Sequence, residues 1–513
     1  MRLVQKVFDN PSALESLVKQ KYGFPDFIMM ENAALAMKNL ITDLPGKGKC
    51  LILCGKGNNG GDGFALARML FGQVETLLFC LEAPTAPEAK KQYEMCKKMG
   101  IKFVSKNQLF EQLKASPAFI VDCLYGTGFK GELSPQVAKI IQTANSTKSV
   151  RIACDIPTAL TFNADYTVTM GEQKLALFSD KAKQVCGKII VAPLGIDREI
   201  FESIIPSSKI PAFLITQDDI KLPMRTNKAA HKGTYGHTAV FAGQKSGAAI
   251  ICATAAMNFG SGLTTLIRGK KSNLAQFKIS PQLMISEPDN DNSKIPAKAS
   301  CVVFGPGMDT ATPQDFDIIK KWFTAKSTKN PAVVFDAGIF GEQDFPTLLT
   351  ELDKRADARI VLTPHLLELT RLCKNLKIFK DVTVNELADN PETKIKIGKK
   401  LNKLFPNTTI VIKSANTFIA SGGQTYIITD GAPSLAKGGS GDLLAGMIAS
   451  LLSQGYSAKD AAITACETHA LIGKNYGPDS YDLSPEKIFI SKIQNAIIYK
   501  KRFYEEHPEM KGR

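Results

Sequence analysis

Two glycine-rich segments, one in each half of the chain, carry an aspartate next to their glycines. The first reads CGKGNNGGDG from Cys54 to Gly63, and the second reads AKGGSGD from Ala436 to Asp442. Glycines at the start of a helix let backbone N–H groups approach and hold an anion, most often a phosphate. An aspartate at that place would repel the anion, so we expect it to handle a proton, a cation or a ribose hydroxyl. Together the two segments predict two nucleotide-handling sites.

The second segment predicts a site for phosphoryl transfer. It leads into the helical pattern Leu443–Leu452, so several backbone N–H groups and the positive end of the helix dipole face one point. Such an anion hole stabilises a phosphoryl group in transfer, and Asp442 behind it can accept the proton of an attacking hydroxyl. The alternative is a helix entry with an aspartate in its first turn and no chemistry.

The first segment predicts a dinucleotide site beside a cation. Its Gly55–Gly60 part has the G-x-G-x-x-G spacing between a strand and a helix, and Glu82 follows ~20 residues on. The segment also holds two asparagines and Asp62, whose hard oxygens suit an alkali or alkaline-earth cation next to a phosphate. The alternative is a turn in which the asparagines are left-handed and Asp62 caps the helix.

Polar groups also follow other predicted strands. These segments are Asp122–Glu132, Asp155–Thr158 and Gly171–Lys174 in the first half, and Gly305–Gly307, Thr363–His365 and Lys413–Thr417 in the second. Because open α/β sheets bind ligands at the carboxyl ends of their strands, we expect Asp62, Asp122 and Asp155 to converge on one crevice. Lys413 is placed to pair with nucleotide phosphates and His365 to face a substrate. A solvated turn and a structural histidine are the alternatives.

Short apolar runs alternate with helical patterns throughout, which indicates βαβ units and parallel sheets. A chain of 513 residues exceeds what one core supports, and its 44% hydrophobic and 22% charged residues are typical of a globular protein. The sequence therefore predicts two α/β domains joined by a linker at Ser207–Met224. The predicted strands are Cys50–Cys54, Val74–Leu81, Ile101–Val104, Ala118–Leu124, Val150–Asp155 and Tyr166–Met170, then Thr238–Ala242, Leu263–Ile267, Ser300–Phe304, Ala332–Asp336, Arg359–Leu362, Thr409–Lys413, Thr417–Ser421 and Thr425–Thr429. The predicted helices include Phe64–Phe71, Pro87–Met99, Gly441–Gln454, Ala458–Tyr476 and Pro485–Tyr499.

Composition narrows the function classes. The formal net charge of +15 favours attraction of anionic small molecules over polynucleotide binding, because the lysines are spread along the chain with few aromatic residues between them. Eleven cysteines without a Cys-x-x-Cys pair indicate reduced thiols and predict a cytoplasmic protein. Met1–Asn10 lacks the apolar core of a signal peptide, and the low-charge stretch Gly247–Leu266 is interrupted by asparagine, serine and glycine. We therefore expect neither a nucleic-acid partner nor a membrane partner.

The first half of the chain resembles a known family. The likeness is carried by Phe27–Ala34, Asn58–Gly63, Asp122–Glu132 and Asp155–Pro157, which look like the epimerase domain of bifunctional NAD(P)H-hydrate repair enzymes. It covers residues 1–215 and implies a Rossmann-like three-layer α/β/α domain that interconverts the R and S epimers of NADHX and NADPHX. The implied contacts with the hydrate are Asn58, Asn59, Gly60, Gly61, Asp62, Gly126, Thr127, Gly128, Phe129, Lys130, Gly131, Glu132 and Asp155. The implied ligands of a potassium ion are Asn59, Asp122 and Thr158.

The second half resembles the ADP- or ATP-dependent NAD(P)H-hydrate dehydratase, which is similar to ribokinase-like kinases. The residues that carry this likeness are His231–Gly236, Gly305–Gly307, Thr363–His365, Lys413–Thr417 and Gly438–Asp442. It covers residues 220–500 and implies a ribokinase-like α/β domain. The implied substrate contacts are Gly307, His365 and Asp442, and the implied contacts with the adenine nucleotide are Lys413, Ser414, Ala415, Asn416, Thr417, Gly439, Ser440 and Gly441.

Three segments depart from these family patterns. Thr158-Ala159 stands where Ser-Gly is usual, Asp336-Ala337-Gly338 where Asp-Ala-Asp is frequent, and His365-Leu366-Leu367-Glu368 where His-Pro-Gly-Glu is frequent. A threonine at position 158 keeps an oxygen for an ion.

The combined resemblance implies an isomerase followed by a lyase on one damaged cofactor. Asp155 is expected to deliver a proton during epimerisation. Asp442 would deprotonate the hydroxyl of the S hydrate, which takes the terminal phosphoryl group of ADP or ATP. Phosphate then leaves with help from the ring nitrogen, and magnesium bridges the nucleotide phosphates.

Two alternatives stay open at this point. One is a ribokinase-type kinase of a small alcohol with a non-catalytic first domain, and the other is a scaffold that binds nucleic acid through its positive charge. The implied partners are NADHX or NADPHX and an adenine nucleotide, and a homo-oligomer is expected. No residue of the sequence selects between ADP and ATP.

Overall fold

The computed structural model describes residues 5–46, 48–286, 295, 296, 298–325 and 330–475. The chain divides into two compact units, Met1–Ala212 and Phe213–Arg513. The helices and strands of the first unit are β1 (Gln5–Phe8), α1 (Pro11–Tyr22), α2 (Asp26–Asp43), β2 (Cys50–Cys54), α3 (Asn58–Leu70), β3 (Thr76–Cys80), α4 (Pro87–Lys98), β4 (Lys102–Phe103), α5 (Lys106–Lys114), β5 (Phe119–Cys123), α6 (Pro135–Asn145), β6 (Val150–Cys154), β7 (Tyr166–Met170), β8 (Gln173–Lys174), α7 (Asp180–Val185), β9 (Lys188–Ala192) and α8 (Arg198–Ser203).

The first unit is built on a parallel seven-stranded sheet in the order β4-β3-β2-β5-β6-β7-β9. All five residues of β2 are buried, as expected for a central strand covered on both faces. Leu51 and Leu53 pack with residues of α5 and α6 on one face. On the other face Gly63 of α3 lies against Cys54, since a Cβ at Gly63 would come 2.7 Å from that sulfur. This is the three-layer α/β/α arrangement that the sequence predicts.

The second unit continues the same alternation over a longer sheet. Its elements are β10 (Ala212–Ile215), β11 (His237–Ala242), α9 (Ser246–Asn258), β12 (Leu263–Arg268), β13 (Met284–Ser286), β14 (Cys301–Phe304), α10 (Pro313–Thr324), β15 (Ala332–Phe335), α11 (Phe345–Asp353), β16 (Arg359–Leu362), α12 (Leu366–Asn375), α13 (Val384–Asp389), α14 (Pro391–Leu404), β17 (Thr408–Ile412), β18 (Thr417–Ser421), β19 (Gln424–Ile428), α15 (Ser440–Ser453) and α16 (Ala458–Asn475). Strands β13-β12-β11-β14-β15-β16-β17 are parallel, and β18 and β19 follow as an antiparallel hairpin with β10 beside β19. Helices α9, α15 and α16 supply much of the core on this sheet.

The strands predicted from the sequence all appear, with ends displaced by at most two residues. Strands β1, β8, β9, β10 and β13 were not predicted, and β10 lies inside the segment predicted as a linker. Helix α3 begins at Asn58 rather than near Phe64, so the polar residues of the first glycine-rich segment are already helical. The predicted helix Pro485–Tyr499 lies outside the described residues. Among the helices of the described chain, none combines the length and the apolar character needed to span a bilayer.

Helix α15, which follows the second glycine-rich segment, packs closely against α9, and a substitution tests whether this contact holds α15 in place. A Cβ at Gly446 of α15 would lie 2.1 Å from the carbonyl oxygen of Cys252 in α9. We therefore predict that Gly446→Ala lowers the free energy of unfolding of this unit by about 3 kcal/mol. Urea denaturation followed by the fluorescence of Trp322, the only tryptophan of the chain, measures it.

Gly247→Ala on α9 is the matched control. A Cβ there would meet the ring of Phe277 at an ordinary 3.5 Å. Alanine is a better helix former than glycine by roughly 0.5–1 kcal/mol, so this variant is expected to be neutral or slightly stabilised. Equal losses in the two variants would show that the α9–α15 contact is not the constraint.

Candidate active sites

A cavity of 620 Å³ lies at the carboxyl ends of β2, β5 and β6 in the first unit. Its walls include these residues predicted from the sequence: Asn58, Asn59, Asp62, Gly126, Thr127, Gly128, Phe129, Lys130 and Asp155. Gly131 and Glu132 lie beyond the lining residues. Gly60 and Gly61 are buried in packing contacts instead, and a Cβ at Gly60 would come 1.9 Å from the carbonyl oxygen of Gly55. Their lack of a side chain allows α3 to start close to the end of β2.

Asp62 faces this cavity and is not the cap of α3. The helix is preceded by Gly57, which makes no side-chain capping bond, and Asp62 comes after the first turn. Its carboxylate lies 3.8 Å from the sulfur of Cys154, a weak donor. Burial, followed by the negative charge of Asp155, raises the pKa of Asp62 well above its usual value. The capping alternative is therefore wrong, and Asp62 is a carboxyl that retains a proton readily.

Asp155 and Lys174 form a buried ion pair at the floor of the cavity. The side chains of Lys174 and Asp155 are only 4% and 11% exposed. The other oxygen of Asp155 accepts the backbone N–H of Thr127 at 3.3 Å. Asp155 also has a φ of 72°, in the left-handed region that costs a non-glycine residue energy and recurs at functional sites.

Lys174 is a site residue to which the sequence analysis gave no role, although it named the polar segment Gly171–Lys174. Burial alone would lower its pKa, but the negative charges of Asp155 and Glu172 outweigh burial and raise it. Glu172 is buried, both of its carboxylate oxygens lack a hydrogen-bond partner, and burial raises its pKa to about 8. The position of Lys174 after β7 was a usable signal. Glu15, which lines the same cavity from α1, left no such signal.

The first unit has a candidate cation site, formed by Asp122, Thr158 and Asn59. Asp122 is fully buried and accepts the N–H of Thr158 at 2.8 Å, its hydroxyl at 2.8 Å and the N–H of Leu124 at 3.1 Å. Burial raises the pKa of Asp122 to about 6. The side-chain amide of Asn59 is buried with neither of its polar atoms hydrogen-bonded. The buried carboxylate of Asp122 and the unbonded amide oxygen of Asn59 are hard oxygen ligands that suit a monovalent cation.

The departure at Ala159 has a structural consequence. Ala159 has φ 51° and ψ 20°, in the left-handed region that glycine adopts without strain. The neighbouring Thr158 nevertheless keeps its hydroxyl on Asp122. The alanine therefore strains the turn without removing the oxygen from the candidate ion site.

The second site is centred on the first turn of α15. Gly439 precedes the helix with φ 89°, and Asp442 lies in its first turn. Lys413 points to this turn, because a Cβ at Gly441 would lie 3.4 Å from its ammonium nitrogen. The same nitrogen is 2.8 Å from Asp336, whose carboxylate also accepts the hydroxyl of Thr363 at 2.6 Å. The carboxyl ends of β15, β16 and β17 thus meet at the helix entry.

Asp442 has the environment of a proton acceptor. Burial raises its pKa to about 6, the charges of Asp336 and Glu368 add to that rise, and Lys413 opposes it. A group of this kind is mostly ionised at neutral pH and still basic enough to take a proton. His469 of α16, which was not selected from the sequence, lies 3.1 Å from the hydroxyl of Ser440. Burial lowers the pKa of His469 to about 4, so the imidazole that contacts Ser440 is neutral at pH 7.

The remaining predicted residues of the second unit lie around this centre. His365 is half exposed and caps α12, where it accepts the N–H of Glu368 at 3.3 Å. A parallel bridge pairs His365 with Lys413, which brings the histidine next to the strand end that carries this lysine. Ser414 accepts a hydrogen bond from the buried Lys394 at 2.8 Å, which fixes the predicted nucleotide turn.

Backbone contacts explain three glycines of the second unit. Gly305 and Gly307 have φ of 120° and 68°, and a Cβ at Gly305 would come 1.8 Å from the carbonyl oxygen of Asp336. Gly338 replaces the frequent aspartate, and a Cβ there would come 2.3 Å from the carbonyl oxygen of Met308. This backbone has no space for a side chain at position 338. The loss of that aspartate is therefore a steric requirement of this loop.

Removal of the buried lysine tests the electrostatics of the first cavity. We predict that Lys174→Met destabilises the first unit by roughly 3 kcal/mol at neutral pH, because it leaves buried carboxylates without their cation. Lys174 lowers the pKa values of Glu172 and Glu15, which burial raises, so without it both values rise further in the folded state. The loss is therefore smaller near pH 5 and grows as the pH rises through the folded-state values.

Hydrogen–deuterium exchange of peptides from β2 and β5 measures this unit separately. The control is Lys56→Met, which removes a half-exposed partner of Glu82 and is expected to leave exchange nearly unchanged. A pH-independent loss in Lys174→Met would contradict the role given to this lysine.

Comparisons with known proteins place both halves of the chain. Residues 26–176 match the model of the YjeF-related protein N-terminus, and residues 238–494 match that of NAD(P)H-hydrate dehydratase. A solved structure, the ADP/ATP-dependent NAD(P)H-hydrate dehydratase of Bacillus subtilis co-crystallised with ATP/Mg2+, covers 55% of this chain and 94% of its own at 24% identity and a TM-score of 0.41.

Relatives also match over nearly the whole length. The bifunctional NAD(P)H-hydrate repair enzyme Nnr of Helicobacter pylori is 35% identical over 500 residues, which are 95% of this chain and 99% of the relative. The enzyme of the same name from Moorella thermoacetica is 29% identical over 90% of each chain. The chain therefore belongs to the family of bifunctional NAD(P)H-hydrate repair enzymes.

Proposed function

We propose that this protein repairs hydrated nicotinamide cofactors in two consecutive steps. The first unit interconverts the R and S epimers of NADHX and NADPHX. The second unit dehydrates the S epimer to NADH or NADPH at the expense of ADP or ATP. The family relationship over 95% of the chain carries this conclusion, and the two polar sites supply the residues. We assign the epimerase to residues 1–215 and the dehydratase to residues 220–500.

In the first unit, Asp155 would handle the proton of the hydroxyl that leaves and returns at the epimerised carbon. It lies at the floor of the cavity, and Lys174 and the N–H of Thr127 fix the direction of its carboxylate. Residues Asn58, Asp62 and Gly126–Lys130 would hold the hydrate around it. Lys56 and Lys130 lie on the walls of the cavity, where their charges complement a diphosphate.

Asn59, Asp122 and Thr158 would hold a potassium ion next to this cavity. The buried Asp122 carboxylate and the unbonded amide oxygen of Asn59 support the assignment. When bound, the ion would supply positive charge that attracts the anionic substrate next to the start of α3. The chemistry of proton transfer stays with the side chains.

In the second unit, Asp442 would deprotonate the hydroxyl of the S hydrate, which then takes the terminal phosphoryl group of the nucleotide. The N–H groups of Gly439, Ser440 and Gly441 would hold that group at the helix entry, where the dipole favours negative charge. Lys413 contributes a fixed positive charge beneath it. Phosphate then leaves with help from the ring nitrogen, which restores the dihydronicotinamide.

Magnesium would be held mainly by the nucleotide phosphates. Within the described residues, no cluster of three or more histidine, cysteine, aspartate or glutamate side chains suits a metal ion. Magnesium commonly retains several waters and binds substrate phosphates, so it does not require a cluster of protein carboxylates. The choice between ADP and ATP, a homo-oligomeric assembly and a cytoplasmic location stay predictions, which turnover with each nucleotide, light scattering and cell fractionation would test.

Two matched substitutions test whether each unit catalyses one of the two steps. We predict that Asp442→Asn lowers dehydration of the S epimer about a thousandfold and leaves epimerisation intact, because it removes only the base of the second site. Asp155→Asn is expected to do the reverse and to slow epimerisation at least about a hundredfold. The assay follows the recovery of reduced-nicotinamide absorbance from mixed and from pure S hydrate, with ADP and with ATP.

The outcome also separates the proposed function from its rival. A stable phosphorylated alcohol in place of free phosphate and reduced cofactor would indicate a kinase. Wild-type rates of epimerisation in Asp155→Asn would remove that residue from the mechanism.

The proposed ion site is tested by exchanging the cation. Replacing potassium by tetramethylammonium is expected to slow epimerisation and to lower the thermal stability of the first unit, since an ion that binds only the folded state stabilises it. Asp122→Asn should abolish both dependences. Asp165→Asn, which lies just before the amino end of β7 beside Arg151, should retain both dependences. A cation response that persists in Asp122→Asn would place the ion elsewhere.

A further inference from the structure

Two carboxyl groups from different strands face the cavity of the first unit. Asp62 enters from α3, which follows β2, and Asp155 follows β6. In the sheet these two strands lie on either side of β5. The two side chains therefore reach the same cavity from separate elements.

Their surroundings make the two carboxyl groups unequal. Asp155 is bound to the ammonium of Lys174 and to the N–H of Thr127. Asp62 faces the cavity, and its carboxylate lies 3.8 Å from the sulfur of Cys154, a weak donor. The negative charge of Asp155 is the strongest charge effect on Asp62, so the two groups are electrostatically coupled. Glu15, Glu172 and Lys174 are the other charged groups that act on Asp155 or Asp62. Asp62 therefore retains a proton more readily than an exposed aspartate, whereas the carboxylate of Asp155 is bound to a cation.

Epimerisation places a particular demand on such a site. The hydroxyl leaves from one face of the ring carbon and returns to the other. A single carboxyl on one side can restore only the epimer from which it removed the hydroxyl. An epimerase that works through loss of water therefore needs a proton donor on one face and a proton acceptor on the other.

We propose that Asp62 is a second catalytic residue of the epimerase, serving the face of the substrate ring opposite to Asp155. This inference rests on the proposed epimerase function and goes beyond it by assigning each carboxyl to one epimer. The protonated carboxyl donates its proton to the hydroxyl, the carbon–oxygen bond breaks, and water leaves. The electron pair of the ring nitrogen forms a carbon–nitrogen double bond, which leaves an iminium cation. A water molecule then adds to the opposite face while the ionised carboxyl removes its proton.

The proton balance of this cycle closes. One turnover consumes one water and releases one, and it exchanges the protonation states of Asp62 and Asp155. The reverse reaction starts from that exchanged state. For a second turnover in the same direction, the newly protonated carboxyl releases its proton to water and the other carboxyl takes one up from water. No oxidant, reductant or further co-reactant is required.

Isotope exchange in the full-length protein tests this assignment. Each pure epimer is incubated in water labelled with heavy oxygen, and label uptake and inversion are measured separately after subtraction of the uncatalysed rate. The wild-type protein is expected to couple uptake to inversion. Asp62→Asn should lose inversion by at least a hundredfold but retain label uptake without inversion in one epimer only. Asp155→Asn should show the complementary pattern with the other epimer. Glu94→Gln, on the exposed face of α4, is the control expected to match the wild type.

The outcomes decide between specific mechanisms. Inversion at the wild-type rate in Asp62→Asn, or label uptake into both epimers in either variant, would overturn the proposal. The same conclusion follows if both variants lose all uptake while hydrogen–deuterium exchange shows an intact first unit. Were one variant to unfold, the single-epimer pattern of the other still decides. A wild-type protein that fails to interconvert the epimers would instead remove the proposed function itself.

Discussion

A lysine that pairs with an aspartate at the end of a strand holds each of the two sites together. In the first unit the pair is Lys174 with Asp155, and in the second it is Lys413 with Asp336. A buried charge is tolerated only when it is paired, so each lysine fixes the position of the carboxylate and of the strand end that carries it.

Each pair also determines the behaviour of a nearby carboxyl group. The pKa of Asp62 is raised by burial and by Asp155, and that of Asp442 is raised to about 6 by burial and by Asp336. In each pair the negative charge of the aspartate helps the neighbouring carboxyl to keep a proton. Neighbouring charges of this kind are a common way to obtain an acid or a base near neutral pH.

The sequence was sufficient for the parts of the fold and of the sites that depend on local pattern. The apolar runs predicted the central strands, and the segments after them predicted the cavity residues Asp62, Asp155 and Phe129. It was not sufficient where tertiary contacts decide. Strands β8 and β13 have only two and three residues, too few for a pattern of their own, and Glu15 and His469 come from helices that carry no site motif. Gly338 shows the same limit, because only the position of Met308 explains why a side chain is excluded there.

The two sites differ in what faces the lysine–aspartate pair. In the second unit it is the start of α15, where N–H groups and the helix dipole suit a phosphoryl group, so one carboxyl base is enough. In the first unit the glycine-rich start of α3 brings Asp62 towards the cavity, and its backbone approaches β2 through Gly60. A second carboxyl in that place favours proton exchange over phosphoryl binding, because its charge opposes an anion there. Two similar glycine-rich helix entries therefore support different chemistry, and the difference lies in whether the aspartate enters the ligand cavity or stands behind the anion hole.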